Sequence, residues 1–396
     1  MMIPDLTDPA PRVALTDDIA RELAAERDLG SAMLAGYAET WAGDFSEFEV
    51  LGVEEAFLLP VVNPASDRAS RYFLRAGVLD LRLRRRSTGG LVIVDHKSMA
   101  GRIDEFRNHL ELDEQATGYW VAAEEKFGEP VEAFLYNGLV KAAPKPPRVV
   151  QAKAKADACA CGRDLLFDDK TGKPKAHALS AAKNQATTLK LFTAAMAEHG
   201  VAPDDPRYTE ILADLAANPT PYYTRDWIAR TPQDLADYRA DVYECSREMR
   251  TGRAYRNPDR QRCSWCEYRS ICPPGRDGAD VRATGFAVTT NRHAELDEAM
   301  LAETGKDVLS YSEIRTWKDC RKKHEFRFTD GLRPLVEARA LRFGQGLHKC
   351  LAAWYSSLGK ADMQSVWLAW FDAEFKALTG EPWRDLTPDG VNPMPF

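Results

Sequence analysis

The sequence predicts an α/β chain with a mixed central sheet flanked by helices, and three observations carry that expectation. Residues 49–61, 71–86 and 91–98 are rich in β-branched and apolar side chains and read as strands. Ser87-Thr88-Gly89-Gly90 joins the second and third of these as a hairpin turn. A helical pattern over 110–127 and a further strand-like stretch at 131–140 follow directly. Three strands, a helix and a strand then make one compact core.

Around that core the elements fall in order. Residues 13–47 place Ala, Leu and Glu at helical spacing, which predicts an opening helix. From 144 to 174 the chain turns Lys-, Ala- and Pro-rich and reads as an excursion from the core. Helical patterning returns over 176–200 and 231–253, and a cysteine-rich segment closes this half at 263–272. Residues 273–305, opening on Pro-Pro-Gly-Arg-Asp-Gly, read as a linker with one weak helix. A block over 308–376 begins with Ser310 and Ser312 as candidate helix caps and continues helically. The last twenty residues, with Pro, Gly and Asn, read as loosely ordered. The expected domains are a core over 1–275 that includes a helical excursion, a linker over 276–307, and a helical block over 308–396 packed on the core.

A chain of 396 residues can hold two or three domains. Its net charge of −7 argues against a general nucleic-acid coat protein but leaves room for a local basic cleft. Arg82 with Arg84 to Arg86, Lys141 to Lys155, and Arg321 to Lys323 are basic clusters that read as solvated faces before they read as a DNA track. No apolar run nears the ~20 residues of a membrane span. The polar opening from Met1 to Arg12 does not match a secretory leader, so a cytoplasmic chain with no membrane partner is expected. Eight cysteines in such a chain point to metal or cluster ligation in preference to disulfides.

Four constellations carry chemistry. Asp80 lies in the first hairpin strand, and Asp95 and Lys97, two apart on the second, share a face. Two acids and an amine at the end of an apolar strand are costly unless a metal or a network compensates them. Together they can hold a divalent ion and steady a water nucleophile, the chemistry of phosphodiester cleavage. Gln115 and Tyr119, four apart on the following helix, can point at one site. Cys263, Cys266 and Cys272 form a Cys-x2-Cys-x5-Cys set that needs a fourth ligand. Cys159 and Cys161 are candidates in a polar loop, Cys245 a poor one, and Cys320 the interesting one. His348 opens a helix behind two glycines, where a lone histidine is more often a satisfied residue than a ligand, and Cys350 reads as a small buried hydrophobe.

Together these residues resemble the RecB-like branch of the PD-(D/E)XK nucleases, specifically its iron–sulfur members: CRISPR-associated adaptation exonucleases, AddB-type recombination nucleases and related phage exonucleases. The matching motifs are Gly77 to Asp80, Asp95-His96-Lys97, Gln115-Ala-Thr-Gly-Tyr119, and Cys263-Ser-Trp-Cys-Glu-Tyr-Arg-Ser-Ile-Cys272. The resemblance implies a restriction-endonuclease-like core with an Fe–S-stapled segment. It implies metal-dependent hydrolysis of DNA, as an exonuclease on single-stranded or free ends, with recombination, CRISPR or phage proteins as possible partners. Asp80, Asp95, His348 and the backbone carbonyl of His96 would hold Mg²⁺ or Mn²⁺, and Lys97 would position or deprotonate the water. Gln115 and Tyr119 would orient Lys97 or touch the DNA backbone. Cys263, Cys266, Cys272 and Cys320 would hold a [4Fe–4S] cluster, with zinc the alternative.

The order departs from the family's. Leu309-Ser-Tyr-Ser to Cys320 resembles the family's opening element, and Phe343-Gly344-Gln-Gly-Leu-His348 resembles the histidine helix that should follow it. Both belong before Asp80. Circular permutation explains this best; a truncated second copy and exchange between two chains are the competing accounts. A non-catalytic DNA-binding or recombination-accessory protein on the same fold is the rival function.

Overall fold

The computed structural model describes residues 17–380 and 383, except 101–102, 143, 156, 169, 184, 218–221, 274–284, 290–304 and 336–338. The weak helix expected within 273–305 and the expected loose order of the last twenty residues lie largely outside them. The opening pattern forms α1 (Asp17–Thr40) and the single turn α2 (Asp44–Glu47). Next come β1 (Phe48–Asn63), β2 (Arg68–Arg85) and β3 (Leu91–Met99), close to the expected three strands. The helix expected over 110–127 is α4 (Glu114–Phe127), and a further helix that was not expected, α3 (Ile103–Leu110), precedes it across a break. The break is physical, because Asp113 turns out of the helix and accepts the backbone N–H groups of Gln115 and Ala116 as a fresh N-cap. β4 (Val131–Val140) then matches its expectation.

These strands belong to a mixed sheet in the order β1-β2-β3-β4-β8, where β8 spans Tyr223–Ile228. β1 and β2 pair antiparallel over most of their length, with register shifts between Val50 and Gly52 and between Pro60 and Val62. The later part of β2 pairs with β3, while its earlier part (Phe73–Ala76) takes a parallel partner, β10 (Asp307–Ser310). The C-terminal block therefore enters the core sheet through main-chain hydrogen bonds. One face of the sheet packs Leu91, Ile93, Phe134 and Tyr136 against Ala116, Trp120 and Val121 of α4, and against Leu235, Tyr238 and Val242. The last three come from α7 (Pro232–Thr251), which a Thr231–Asp234 capping box and a proline at its first turn start cleanly.

By their contacts the described residues divide into two units, one within 17–98, 103–137 and 225–383 and the other within 99–100 and 138–224. The second unit holds a small antiparallel sheet, β5-β7-β6, of β5 (Val149–Lys155), β6 (Leu166–Phe167) and β7 (Pro174–Leu179). It also holds α5 (Leu189–Glu198) and α6 (Thr209–Ala217). The helix expected over 176–200 is thus corrected. Its first residues form a strand, because Lys175 to Leu179 pair with β5, and only Leu189–Glu198 is helical. Tertiary pairing overrides the Ala-rich composition there.

In the first unit, α8 (Arg260–Ser264) carries Cys263, and β9 (Phe286–Val288) lies inside the expected linker. β9 pairs antiparallel with β11 (Leu332–Pro334). After β10 come α9 (Tyr311–Asp319), α10 (Arg321–His324) and a π-helical turn at Glu325–Thr329. Ser310, one of the two expected caps, is the N-cap of α9 and accepts the Glu313 N–H. The block closes with α11 (Arg339–Ser356) and α12 (Met363–Thr379).

α12 lies against the first helix of the chain. A side chain at Gly30 would collide with the indole of Trp367, and one at Gly346 with the indoles of Trp370 and Trp367, so both glycines seat these rings. The indole N–H donates to the Arg27 carbonyl at 2.8 Å. Trp367 is fully buried, and at roughly 25 cal/mol per Å² a ~200 Å² indole contributes at most about 5 kcal/mol to this union of chain start and chain end. In two of the three basic clusters the cations are matched by acids: Arg82 to Glu55, Arg84 to Glu129, Arg85 to Glu132, Arg321 to Glu248 and Lys323 to Glu267. No helix of the described residues is long and apolar enough to cross a membrane.

Candidate active site

Alternation along β3 sorts its side chains. Asp95 and Lys97 continue the face of Leu91 and Ile93 toward α4, while His96 points to the other face and stacks on Tyr355 at 5.8 Å between ring centroids. Lys97 Nζ lies 2.7 Å from Asp95 Oδ2 and donates to Gln115 Oε1 at 2.9 Å. Gln115 Nε2 donates to Asp95 Oδ1 at 3.0 Å. The amide therefore closes a three-membered ring of contacts that fixes the acid and the amine together. Tyr119, one turn on, packs edge-on against Phe57 at 6.1 Å between centroids. Gly77 is required there, since a Cβ would stand 2.8 Å from the Phe57 ring and 3.5 Å from Tyr119.

Asp80 is buried on β2 and accepts the His96 backbone N–H at 2.8 Å. His348 comes from α11, and its Nδ1 lies 3.5 Å from Asp80 Oδ2. Glu54 of β1 completes the group: one ligand atom each from Glu54, Asp80 and His348 lie within 4.8 Å of one another. The flanking register, Val53 to Leu81 and Glu55 to Leu79, places Glu54 across from Asp80. Its backbone sits at φ +50°, a left-handed conformation that costs a non-glycine residue roughly 1–3 kcal/mol.

The electrostatics match a cation site. Desolvation, helped by Asp80 and Asp95, pushes Glu54 up to about 7. Burial raises Asp95 to about 6, with Lys97 pulling it down and Asp80 pushing it further up. Burial works against the Lys97 ammonium, yet Asp95 holds its pKa above the ordinary lysine value, so it stays charged. Asp80 and Asp95 are buried while Glu54 is exposed at the rim, so its upward shift is tempered by solvent; two carboxylates with an imidazole are a donor set for Mg²⁺ or Mn²⁺.

A buried polar chain fixes the other side of His96. Asn137 Nδ2 lies 2.8 Å from His96 Nδ1 and donates to Tyr37 Oη at 2.6 Å. The Tyr37 and Tyr355 hydroxyls are 2.8 Å apart, and Tyr355 donates to Asp44 at 2.6 Å. Arg225 grips both oxygens of Asp44. Burial, with the charges of His348, Arg225 and Lys97, lowers His96 well below the ordinary histidine value. A neutral ring held this way anchors the backbone N–H that Asp80 accepts.

The sequence-predicted residues Asp80, Asp95, His96, Lys97, Gln115 and His348 thus come together, and Tyr119 lies one helical turn from Gln115. Glu54 was missed. Its signal is the hairpin register, but the shift between Pro60 and Val62 makes counting from the turn land three residues off.

The cysteine segment and the Cys320 segment also meet. Asn257 donates to the Asp319 carbonyl at 3.0 Å, Lys322 N–H to the Tyr255 carbonyl at 3.0 Å, and the Tyr268 hydroxyl to the Leu332 carbonyl at 2.9 Å. Cys266 and Cys272 pack on Tyr268, Ile271, Phe286 and Phe326, while Cys263 is exposed. No three thiols of Cys263, Cys266, Cys272 and Cys320 converge within 4.8 Å. A single zinc with arms of about 2.3 Å would need that convergence; a polynuclear cluster holds its thiolates farther apart. Cys159 and Cys161, weighed as cluster ligands, stand instead beside His177. Cys350 is buried in α11, as a small hydrophobe should be, and burial lifts its thiol to about 12.

Compared with known proteins, the chain matches a family model described as the PD-(D/E)XK nuclease superfamily over residues 5–273 and 308–387. No curated protein and no solved structure matches it.

Proposed function

The chain belongs to the PD-(D/E)XK nuclease superfamily, and from that premise we propose that it is a DNA exonuclease acting on single-stranded ends, with roles in recombination, repair or phage and CRISPR DNA processing. Membership makes it a metal-dependent nuclease of the kind that uses Mg²⁺ or Mn²⁺. The observation that best supports the site assignment is the convergence of Glu54, Asp80 and His348 beside the Asp95–Lys97–Gln115 ring.

Glu54, Asp80 and His348 would hold the divalent ion, with Asp95 and the His96 carbonyl beside them. When bound, the ion offsets charge on the scissile phosphate and lowers the pKa of its water. Lys97, kept as an ammonium by Asp95, orients the attacking water and offsets charge that develops on the phosphate. Gln115 is a positioning residue that locks the Asp95 and Lys97 rotamers. The finer reading rests on the resemblance of Cys263 to Cys272 and of Phe343 to His348 to iron–sulfur exonucleases. On the same ground Cys263, Cys266, Cys272 and Cys320 would hold a [4Fe–4S] cluster that staples the two joined segments.

The motif order is read as a circular permutation within one chain. The pairing of β10 with β2, the approach of His348 to Asp80 and the packing of α12 on α1 all support it.

With Mg²⁺ or Mn²⁺ the full-length protein should degrade linear single-stranded DNA to short products and leave a single-stranded circle intact. Cleavage of the circle would make it an endonuclease, and no cleavage of either would favour the non-catalytic reading. Anaerobically purified protein should be brown. Cys263→Ser should bleach the colour and lower the melting temperature; an unchanged melting temperature would overturn the structural role of the cluster.

A further inference from the structure

Thiols and imidazole also meet in the second unit, at residues the nuclease chemistry does not use. Cys159 Sγ lies 2.9 Å from Cys161 Sγ and 3.5 Å from Nδ1 of His177. The three ligand atoms all fall within 4.8 Å of one another. The His177 backbone N–H also points at Cys159 Sγ, at 3.3 Å.

The end of α5 lies against the same loop. A Cβ built on Gly200 would stand 3.3 Å from the Ala160 Cβ, and Glu198 accepts from Arg163 at 3.0 Å. His199, between those two contacts, is only 7% exposed. Its Nδ1 is buried with no hydrogen-bond partner among the described residues. A buried, orphaned imidazole nitrogen is costly unless something takes its lone pair or its proton.

We propose that Cys159, Cys161, His177 and His199 form a structural Zn²⁺ site. Two thiolates and two imidazoles are one of the recurrent closed tetrahedral zinc sets, and oxygen donors suited to Mg²⁺ or Ca²⁺ are absent from this group. Zinc arms of about 2.3 Å would hold two sulfurs about 3.7 Å apart, so the sulfurs need only side-chain adjustment, whereas His199 lies outside the 4.8 Å group of the other three and its ring would have to turn toward them to complete the set. Binding sends the two thiol protons to solvent and leaves both imidazoles neutral.

The site has a physical purpose. The helical core of this unit consists of Leu179, Phe192, Met196, Tyr208, Ile211 and Leu215, with a few partly buried neighbours. A core that small supplies little folding free energy, and structural metals compensate for this in small domains. The four ligands come from the 157–163 loop, from β7 and from the end of α5, so one ion would tie together three segments distant in sequence.

The test uses full-length protein prepared without added metal and assayed for zinc and iron together. About one zinc per chain is expected, retained in Cys263→Ser and lost in the Cys159→Ser/Cys161→Ser double variant. Cobalt replacing zinc should give the intense visible bands of a tetrahedral thiolate site, a readout on the unmutated protein. His199→Gln should weaken zinc binding roughly tenfold or more, exceeding the effect of losing an outer hydrogen bond. Chelation should speed proteolysis within 138–224. Zinc-free protein, zinc unaffected by the double variant, or a Cys159–Cys161 disulfide recovered from cells alkylated at lysis would overturn the site. Unchanged zinc affinity in His199→Gln would overturn the four-ligand assignment.

Discussion

Replacing Lys97 with alanine is expected to slow metal-dependent DNA cleavage by about 10²–10³-fold while leaving DNA affinity, measured with Ca²⁺, close to that of the native protein. The ammonium is held at 2.7 Å by Asp95 and at 2.9 Å by Gln115, so it is aimed before any substrate arrives. Preorganised charge of this kind acts on the transition state more than on the bound strand. The same change strips Asp95 of the charge that pulls its pKa down. Its folded value, already raised by burial to about 6, then climbs further above its unfolded value. A carboxyl raised on folding favours the folded state where it is protonated in both states. That advantage is lost as pH rises through the unfolded value and up to the folded one. Metal-free Lys97→Ala should therefore lose more melting temperature at pH about 8 than at pH about 5, relative to the native protein. Cleavage at the native rate by this variant would remove Lys97 from the mechanism. A pH-independent stability loss would mean that Asp95 is not stranded as argued.

What could be read from the sequence was whatever depends on near neighbours. Asp95, Lys97, Gln115 and the strand–hairpin–helix frame follow from period-two and period-3.6 spacing, and the five elements expected over 49–140 lie within a few residues of expectation, with α3 the one addition among them. Glu54 did not follow, because its place depends on a register shift and a left-handed residue inside β1. The strand at Pro174–Leu179 did not follow either, because its identity is set by β5 and not by its own Ala-rich composition. The meeting of Cys159 with His177 escaped for a related reason. Eighteen positions and a small sheet separate them, and only that sheet brings their side chains to 3.5 Å. His348 shows the opposite case. Nothing local distinguishes it from a satisfied helical histidine; a family motif found in the wrong place suggested it, and the fold sets it 3.5 Å from Asp80.

That last distance carries the second large expectation. If Asp80 and His348 hold one ion, Asp80→Ala and His348→Ala should each lower cleavage by about 10³-fold, and the double variant should be scarcely worse than the more damaged single. Residues that act as a unit are lost as a unit, whereas independent contributions multiply. Titration with Mn²⁺ should show the same pattern, with affinity lost in both single variants. His348→Ala should otherwise keep its fold, because its side chain is one-third exposed, and α11 is anchored by Leu347, Leu351, Trp354 and the Tyr355–Asp44 bond. Glu54→Gln should behave as a third member, since an amide keeps the shape of the side chain and removes the charge. If the effects of Asp80→Ala and His348→Ala multiply, the two residues serve different tasks. The C-terminal helices would then be packing on a site already complete in the first half of the chain. Non-additivity instead makes the site one object built from two distant stretches of sequence, which ties its metal affinity to the union of β10, α11 and α12 with the core.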